Sequence, residues 1–315
     1  MNLNWLDLET KGFLHIPALL SSSTIETLVS ESFAGTKAAN SNYSIKTVSP
    51  ALREELHQSH FKKLAHDVCS NTGIYVDTTK VGVYFSIKDG VNFDWHQDHE
   101  SWFQTQDHFN YLNIWIPIVK PDQKKSNLSI IPFDVLKSEI PDLYAKTVRN
   151  GASRIVEMQG KTFWVSDNEW DHVDLSKSAS KLRSIAITPE LAAGDALILR
   201  GDLFHRTHDT DTERISVSFR LLNSRAIVSR KKLLEMSPEK FLMLGNNNGV
   251  YTRMLLSFAA VGKEEMPVSE LWDLQKEIFE KSQTTSLDKV IFEYRMKRIA
   301  GAEYSNSEVV TRELQ

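Results

Sequence analysis

Between residues 74 and 222 the chain is a succession of short runs rich in Val, Ile, Tyr, Phe and Trp, each closed by turn residues. That texture predicts an antiparallel sandwich or barrel, because strands joined by short turns bury alternate side chains against a facing layer. Two of the runs alternate cleanly. Arg214-Ile215-Ser216-Val217-Ser218-Phe219-Arg220-Leu221 puts Arg, Ser, Ser and Arg on one face and Ile, Val, Phe and Leu on the other. Tyr111-Leu112-Asn113-Ile114-Trp115-Ile116-Pro117-Ile118 likewise sets its aliphatic residues opposite Tyr111, Asn113 and Trp115. The apolar faces predict packing on helices, and the other faces predict an interior pocket. Two arginines in such an interior are costly unless they meet an anion, and a guanidinium matches a carboxylate as a bidentate fork.

The flanks read differently. GFLHIPALL, residues 12 to 20, predicts a short strand, and Ser21 to Thr24 then offer N-cap oxygens to a helix carrying Ile25, Leu28 and Val29. Leu52, Leu56, Leu64 and Val68 recur at helical spacing over residues 51 to 70. Beyond Asn223, helices are signalled by Leu271, Leu274 and Ile278 after Pro267, and by Leu287, Val290, Ile291 and Tyr294 after Ser286. The expectation is one α+β domain over residues 1–315, with a β-core at about 74–222, a helical extension at about 223–300 and a frayed tail at 302–315. The C-terminal helices could cover the sheet or make a homodimer contact.

Composition narrows the partners. With 37 basic and 41 acidic residues the formal charge is -4, which argues against a nucleic-acid polymer as main partner. A lone cysteine, Cys69, excludes an intramolecular disulfide framework. The longest nearly apolar run, Tyr111 to Val119, is far short of the ~20 residues that span a bilayer. A cytoplasmic protein acting on a small molecule, away from membranes, is the expectation.

Histidines and acids concentrate at Trp95-His96-Gln97-Asp98-His99-Glu100 and at Phe204-His205-Arg206-Thr207-His208-Asp209. In a strand His96 and Asp98 share a face. With a distal histidine they would make two imidazoles and one carboxylate, the set that holds non-haem Fe(II) with three positions open. A second His-x-Asp occurs at His172-Val173-Asp174, but only 33 residues before His205, against 109 for His96, so the first has more room for intervening strands.

The order and wording of these segments resemble the phytanoyl-CoA dioxygenase family of Fe(II)- and 2-oxoglutarate-dependent oxygenases. The similar pieces are KGFLHIPALLSSSTIETL, WHQDHESW, YLNIWIPIVKPDQKKSNLSIIPFD and AAGDALILRGDLFHRTHDTDTERISVSFR, in that order. The family's Asn-Gly and Pro-Gly-Ser-His stand here as Asn127-Leu128 and Pro132-Phe133-Asp134. The resemblance implies a double-stranded β-helix, the cupin-like jelly-roll, flanked by N- and C-terminal helices. It implies His96, Asp98 and His205 as ligands to catalytic iron, and 2-oxoglutarate and O2 as cosubstrates. Arg214 would anchor the far carboxylate of 2-oxoglutarate with Ser216 beside it, and Asn113 and Arg220 are further candidates for binding it. Nine positions separate His205 from Arg214, so His208 with Arg220 is a rival pairing.

Tyr84, Trp102, Phe103, Tyr111, Trp115 and Trp170 are candidate pocket walls, and Arg206, Arg220 and Asn168 candidate polar contacts. The implied reaction is hydroxylation, or another C–H oxidation, of a small polar metabolite such as an amino acid or a natural-product intermediate, with release of succinate and CO2. The rivals are a Zn- or Mn-dependent cupin-type hydrolase or isomerase, and a non-catalytic jelly-roll binding protein.

Overall fold

A computed structural model describes residues 3–32, 36–37, 44–87, 93–98, 105–106, 110–149, 153–158, 161–166, 178–234 and 249–281. In chain order the strands are β1 (Phe13–Ile16), β2 (Thr36–Lys37), β3 (Ser44–Thr47), β4 (Thr78–Ile87), β5 (Tyr111–Val119), β6 (Leu128–Ile130), β7 (Ser153–Met158), β8 (Lys161–Ser166), β9 (Ala196–Arg200), β10 (His205–Thr207), β11 (Arg214–Leu222), β12 (Ile227–Ser229) and β13 (Glu265–Pro267). The helices are α1 (Asp7–Thr10), α2 (Ser22–Ser32), α3 (Pro50–Leu56), α4 (Lys62–Asn71), α5 (Phe133–Glu139), α6 (Pro141–Thr147), α7 (Ala179–Ile185), α8 (Arg230–Leu234), α9 (Gly249–Val261) and α10 (Val268–Lys281). No helix among the described residues is long and apolar enough to cross a membrane.

Seven strands form one sheet in the order β1-β9-β5-β11-β4-β3-β2, every neighbouring pair antiparallel. Strands distant in sequence lie side by side here, so β11, near the end of the β-region, sits at the centre. All nine of its residues are buried. Ile215, Val217, Phe219 and Leu221 join Leu112, Ile114, Ile116 and Ile118 in a core shared with Leu28, Leu52, Leu56, Leu64 and Val68 of the helices. The Phe219 ring meets Phe61 with centroids 4.7 Å apart. Gly82 of β4 permits this packing, since a Cβ there would come within 2.8 Å of the Phe219 ring.

The other face of the sheet carries a second core. Trp115, Leu197 and Leu199 pack there with Leu128 and Ile130 of β6 and with Trp95, Leu203 and Phe204. Strands β6 and β10 pair, and single bridges extend this ladder on both sides, Ile187 beside Ile130 and His96 beside His205. A third core, of Tyr111, Leu222, Met254, Phe258, Met266 and Leu271 among others, seats α9, α10 and the β12–β13 pair against the ends of β5 and β11.

The structure departs from the sequence expectation in places. The helix over 51–70 is interrupted by a π-turn at His57–Phe61, which rotates Phe61 inward toward Phe219. The β-region contains α5, α6 and α7, with Pro141 opening α6 at a position that needs no amide hydrogen. The helix expected after Ser286 and the tail at 302–315 lie outside the described residues. At the N-terminus, Ser21 caps α2 as its Oγ accepts from the Thr24 amide at 3.2 Å.

Candidate metal centre

His96, Asp98 and His205 are brought together at one end of the second core. Their ligand atoms all lie within 4.8 Å of one another, and among the described residues they are the one such group of three or more His, Cys, Asp or Glu. Backbone bonds set this approach. His96 and His205 exchange N–H···O bonds of 3.0 and 2.9 Å, and the Asp98 amide donates to Gly201 O at 2.9 Å. Between them Gln97 is fully buried, its amide donating to the carbonyls of Asp202 and Thr147. The segment 201–205 thus holds both ends of the His-x-Asp segment.

Each imidazole is oriented by its own neighbourhood. His96 Nδ1 lies 2.7 Å from Asp94 O, and His205 Nδ1 lies 3.0 Å from Leu203 O. A carbonyl only accepts, so both Nδ1 atoms carry hydrogen, which leaves Nε2 as the nitrogen each ring can offer to a metal. His205 Nε2 stands 3.7 Å from Asp98 Oδ1. Such backbone-oriented imidazoles beside a buried carboxylate suit a divalent cation that keeps open positions. His208 is elsewhere: its Nδ1 faces Ser129 Oγ at 2.9 Å and its side chain is 44% exposed. It lies three positions after His205, just past the end of β10, an odd spacing that turns it away from the face of His205.

Arg214 and Ser216 lie two apart on the inner face of β11. A terminal guanidinium nitrogen of Arg214 donates to Ser126 O at 2.7 Å. Its Nε, and Oγ of Ser216, are buried with no hydrogen-bond partner among the described residues. Burial pulls the Arg214 guanidinium down to about 10, with Asp209 opposing the shift, and its charge stands 5.1 Å over the Trp115 ring. A buried unsatisfied polar group costs about 1–3 kcal/mol. The buried Arg214 guanidinium and the Ser216 hydroxyl, on one face of β11, make a socket that an anion with paired oxygens would satisfy. Lys120 adds to the same potential, since burial first and Arg214 second lower its ammonium to about 8.

The remaining candidates fall in several places. Asn113 is buried, its amide nitrogen 2.9 Å from Asp98 Oδ2. Arg220 donates to Ser218 Oγ and lies 5.8 Å over the Tyr111 ring. Trp115 and Tyr111 flank the inner face beneath the two arginines. Arg206 stands 5.3 Å over the Trp95 ring. Tyr84 is a correction: it pairs across β4–β11 with Val217, which puts it in the helix-side core, and its hydroxyl donates to Glu31 Oε1 at 3.1 Å. Its parity on β4 turns it away from the metal group. Trp102, Phe103, Asn168, Trp170, His172 and Asp174 lie outside the described residues. Sequence reasoning passed over Ser126, Ser218 and Lys120. Ser218 stands in the polar alternation of β11 and could have been read from it, whereas the Ser126 carbonyl and Lys120 carry no local signal.

Comparison with known proteins agrees with this geometry. Residues 8–216 match the family model "Phytanoyl-CoA dioxygenase (PhyH)", and the chain belongs to that family. No curated protein sequence matches the chain. Among solved structures, the epimerase SnoN, in complex with Fe3+, alpha ketoglutarate and nogalamycin RO, is 13% identical, with 71% of this chain and 84% of that one covered at a TM-score of 0.50. The alpha ketoglutarate-dependent carbocyclase SnoK from nogalamycin biosynthesis is 12% identical over 71% of this chain and 85% of that one, also at 0.50. These are likenesses of fold.

Proposed function

We propose that this chain is a non-haem Fe(II)- and 2-oxoglutarate-dependent dioxygenase that hydroxylates a C–H bond of a small polar metabolite, such as an amino acid or a biosynthetic intermediate. In this reading the seven-stranded sheet and the β6–β10 ladder are the two walls of a double-stranded β-helix, with the metal group between them. The observation that carries the reading is the pairing of a His/Asp/His group with a buried cation whose Nε, like the neighbouring Ser216 hydroxyl, has no hydrogen-bond partner among the described residues. A zinc hydrolase or a non-catalytic binding protein gives no reason for that second feature.

His96 and His205 would hold iron through Nε2, and Asp98 through a carboxylate oxygen. Bound iron and 2-oxoglutarate supply the oxidation, in which substrate, O2 and 2-oxoglutarate become hydroxylated substrate, succinate and CO2. Arg214 and Ser216 would fix the far carboxylate of the cosubstrate, and the fork geometry sets its orientation. The Trp115 ring shields that ion pair from water, which strengthens it. Tyr111 and Trp115 would wall the substrate side.

The test is anaerobic loading with Fe(II), addition of 2-oxoglutarate and air, and measurement of O2 uptake and succinate, followed by a metabolite screen for stimulated succinate release. Stoichiometric succinate, abolished by His96→Ala, is expected. Tightly held zinc with no O2 uptake would turn the assignment toward a hydrolase.

A further inference from the structure

Arg220, Ser218, Asn113 and Asp98 are joined in one chain of side-chain hydrogen bonds. The Arg220 guanidinium donates to Ser218 Oγ, the Ser218 hydroxyl donates to Asn113 Oδ1 at 2.5 Å, and Asn113 Nδ2 donates to Asp98 Oδ2 at 2.9 Å. All four residues are buried, none more than 6% exposed. Strand pairing assembles the chain, because Arg220 lies directly opposite Asn113 across β5 and β11.

The bonds have one direction. A guanidinium can only donate and an ionised carboxylate can only accept, so the polarity of the row is set at both ends. Turning the Asn113 amide over would aim its oxygen at the carboxylate and its nitrogen at a hydroxyl already receiving a hydrogen from Arg220. The amide therefore has one satisfied orientation. Asp98 in turn has Oδ2 held by that amide, while Oδ1 is the oxygen facing His205 Nε2.

The geometry points to Arg220, Ser218 and Asn113 as positioning residues that make Asp98 offer a single oxygen, Oδ1, to the metal. This rests on the reading that His96, Asp98 and His205 hold a metal. A carboxylate able to rotate would engage through both oxygens and occupy a position that the cosubstrate or dioxygen needs. The far end of the row is anchored as well: Arg220 stacks over Tyr111, which belongs to the core beneath the C-terminal helices. The helical layer thereby braces the metal ligand through four side chains. Arg220 is assigned here to the metal side of the site, not to anion capture.

The experiment is a Co(II) titration of metal-free protein, followed by visible absorption, for the wild type, Asn113→Leu, Ser218→Ala and Ser218→Thr. Loss of a ligand's hydrogen-bond partner weakens metal binding about 10- to 100-fold. Asn113→Leu should fall in that range with an altered Co(II) spectrum, Ser218→Ala should lose less, and Ser218→Thr, which keeps the hydroxyl, should restore wild-type affinity. A purely structural role would lower melting temperature in all variants without changing the spectrum. Should Asn113→Leu not fold, the Ser218 pair decides. Wild-type affinity and spectrum in Asn113→Leu and Ser218→Ala would overturn the proposal, as would a loss confined to 2-oxoglutarate affinity. A wild type that binds no Co(II) strikes down the metal reading itself, whereas one that binds Co(II) but not 2-oxoglutarate strikes only the proposed activity.

Discussion

Arg200 and Asp202 close a bidentate ion pair on themselves, Nε to Oδ1 at 3.0 Å and a terminal nitrogen to Oδ2 at 2.6 Å, with neither side chain more than 1% exposed. The pair locks the turn between β9 and β10. Asp202 Oδ2 also accepts the Arg149 amide, and the Asp202 carbonyl receives Gln97, the residue between two candidate ligands.

Breaking this pair takes from a buried guanidinium the carboxylate that both of its bonds reach. Asp202→Ala is expected to cost about 3–5 kcal/mol, because the Arg200 guanidinium then loses its bidentate carboxylate in a dry site. Denaturant unfolding of the metal-free protein measures it, and a loss under about 1 kcal/mol would show that the turn is held by other contacts.

Arg214 separates anion binding from metal binding. Arg214→Ala should weaken 2-oxoglutarate by at least about 30-fold, the lower end for truncating a buried hydrogen-bonded charge. Co(II) affinity should stay near wild type. Arg214→Lys should recover only part of the loss, since lysine offers a point charge where the fork used Nε. Calorimetric titration with 2-oxoglutarate distinguishes these outcomes.

The two histidines of the His205–His208 segment should behave oppositely. His205→Ala is expected to abolish metal binding and succinate formation. His208→Ala, which removes a partly exposed ring bonded to Ser129, should bind metal as the wild type does. Equal losses in both would place the distal ligand wrongly.

Stability should fall on the acid side in two stages. Burial, the leading cause, holds His57 and His60 below the ordinary imidazole value of 6.5. Burial alone would raise Glu31, but the amide and hydroxyl of Ser49, the Tyr84 hydroxyl and the Lys46 ammonium together hold it below 4.5. In each case the unfolded chain binds the proton more readily. The stabilisation is therefore present above the unfolded values and is lost as pH falls through the folded ones. Melting temperature should start to drop below about pH 6.5, first through the imidazoles and then through Glu31. His57→Gln should flatten the first stage and Glu31→Gln the second; unchanged profiles in both variants would locate the acid sensitivity elsewhere.

Much of the candidate site was legible because strand periodicity is a local property. Arg214, Ser216, Ser218 and Arg220 had to share a face once the segment was extended, and the aliphatic residues of β5 had to lie opposite Asn113 and Trp115. The β4 segment shows the limit. One of its faces carries Val81, Val83, Phe85 and Ile87 and the other Lys80, Gly82, Tyr84 and Ser86, and it is the more apolar face that lies opposite the polar residues of β11, so the local pattern misled about its phase and Tyr84 was placed on the wrong side. The π-turn at His57–Phe61 was hidden for a similar reason, since Leu52, Leu56, Leu64 and Val68 fit an unbroken helix equally well.

By itself, then, the chain's sequence determined which residues alternate, which segments are strands and which residue types could hold a metal and a diacid, because these follow from side-chain chemistry and a two-residue repeat. Only the tertiary structure decided that His205 rather than His208 joins His96, that the Asn113 amide rests on Asp98, and that Ser126 and Lys120 border Arg214. Those contacts join residues 15 to 109 positions apart along the chain. They depend on strand order and pairing register, which no local pattern encodes.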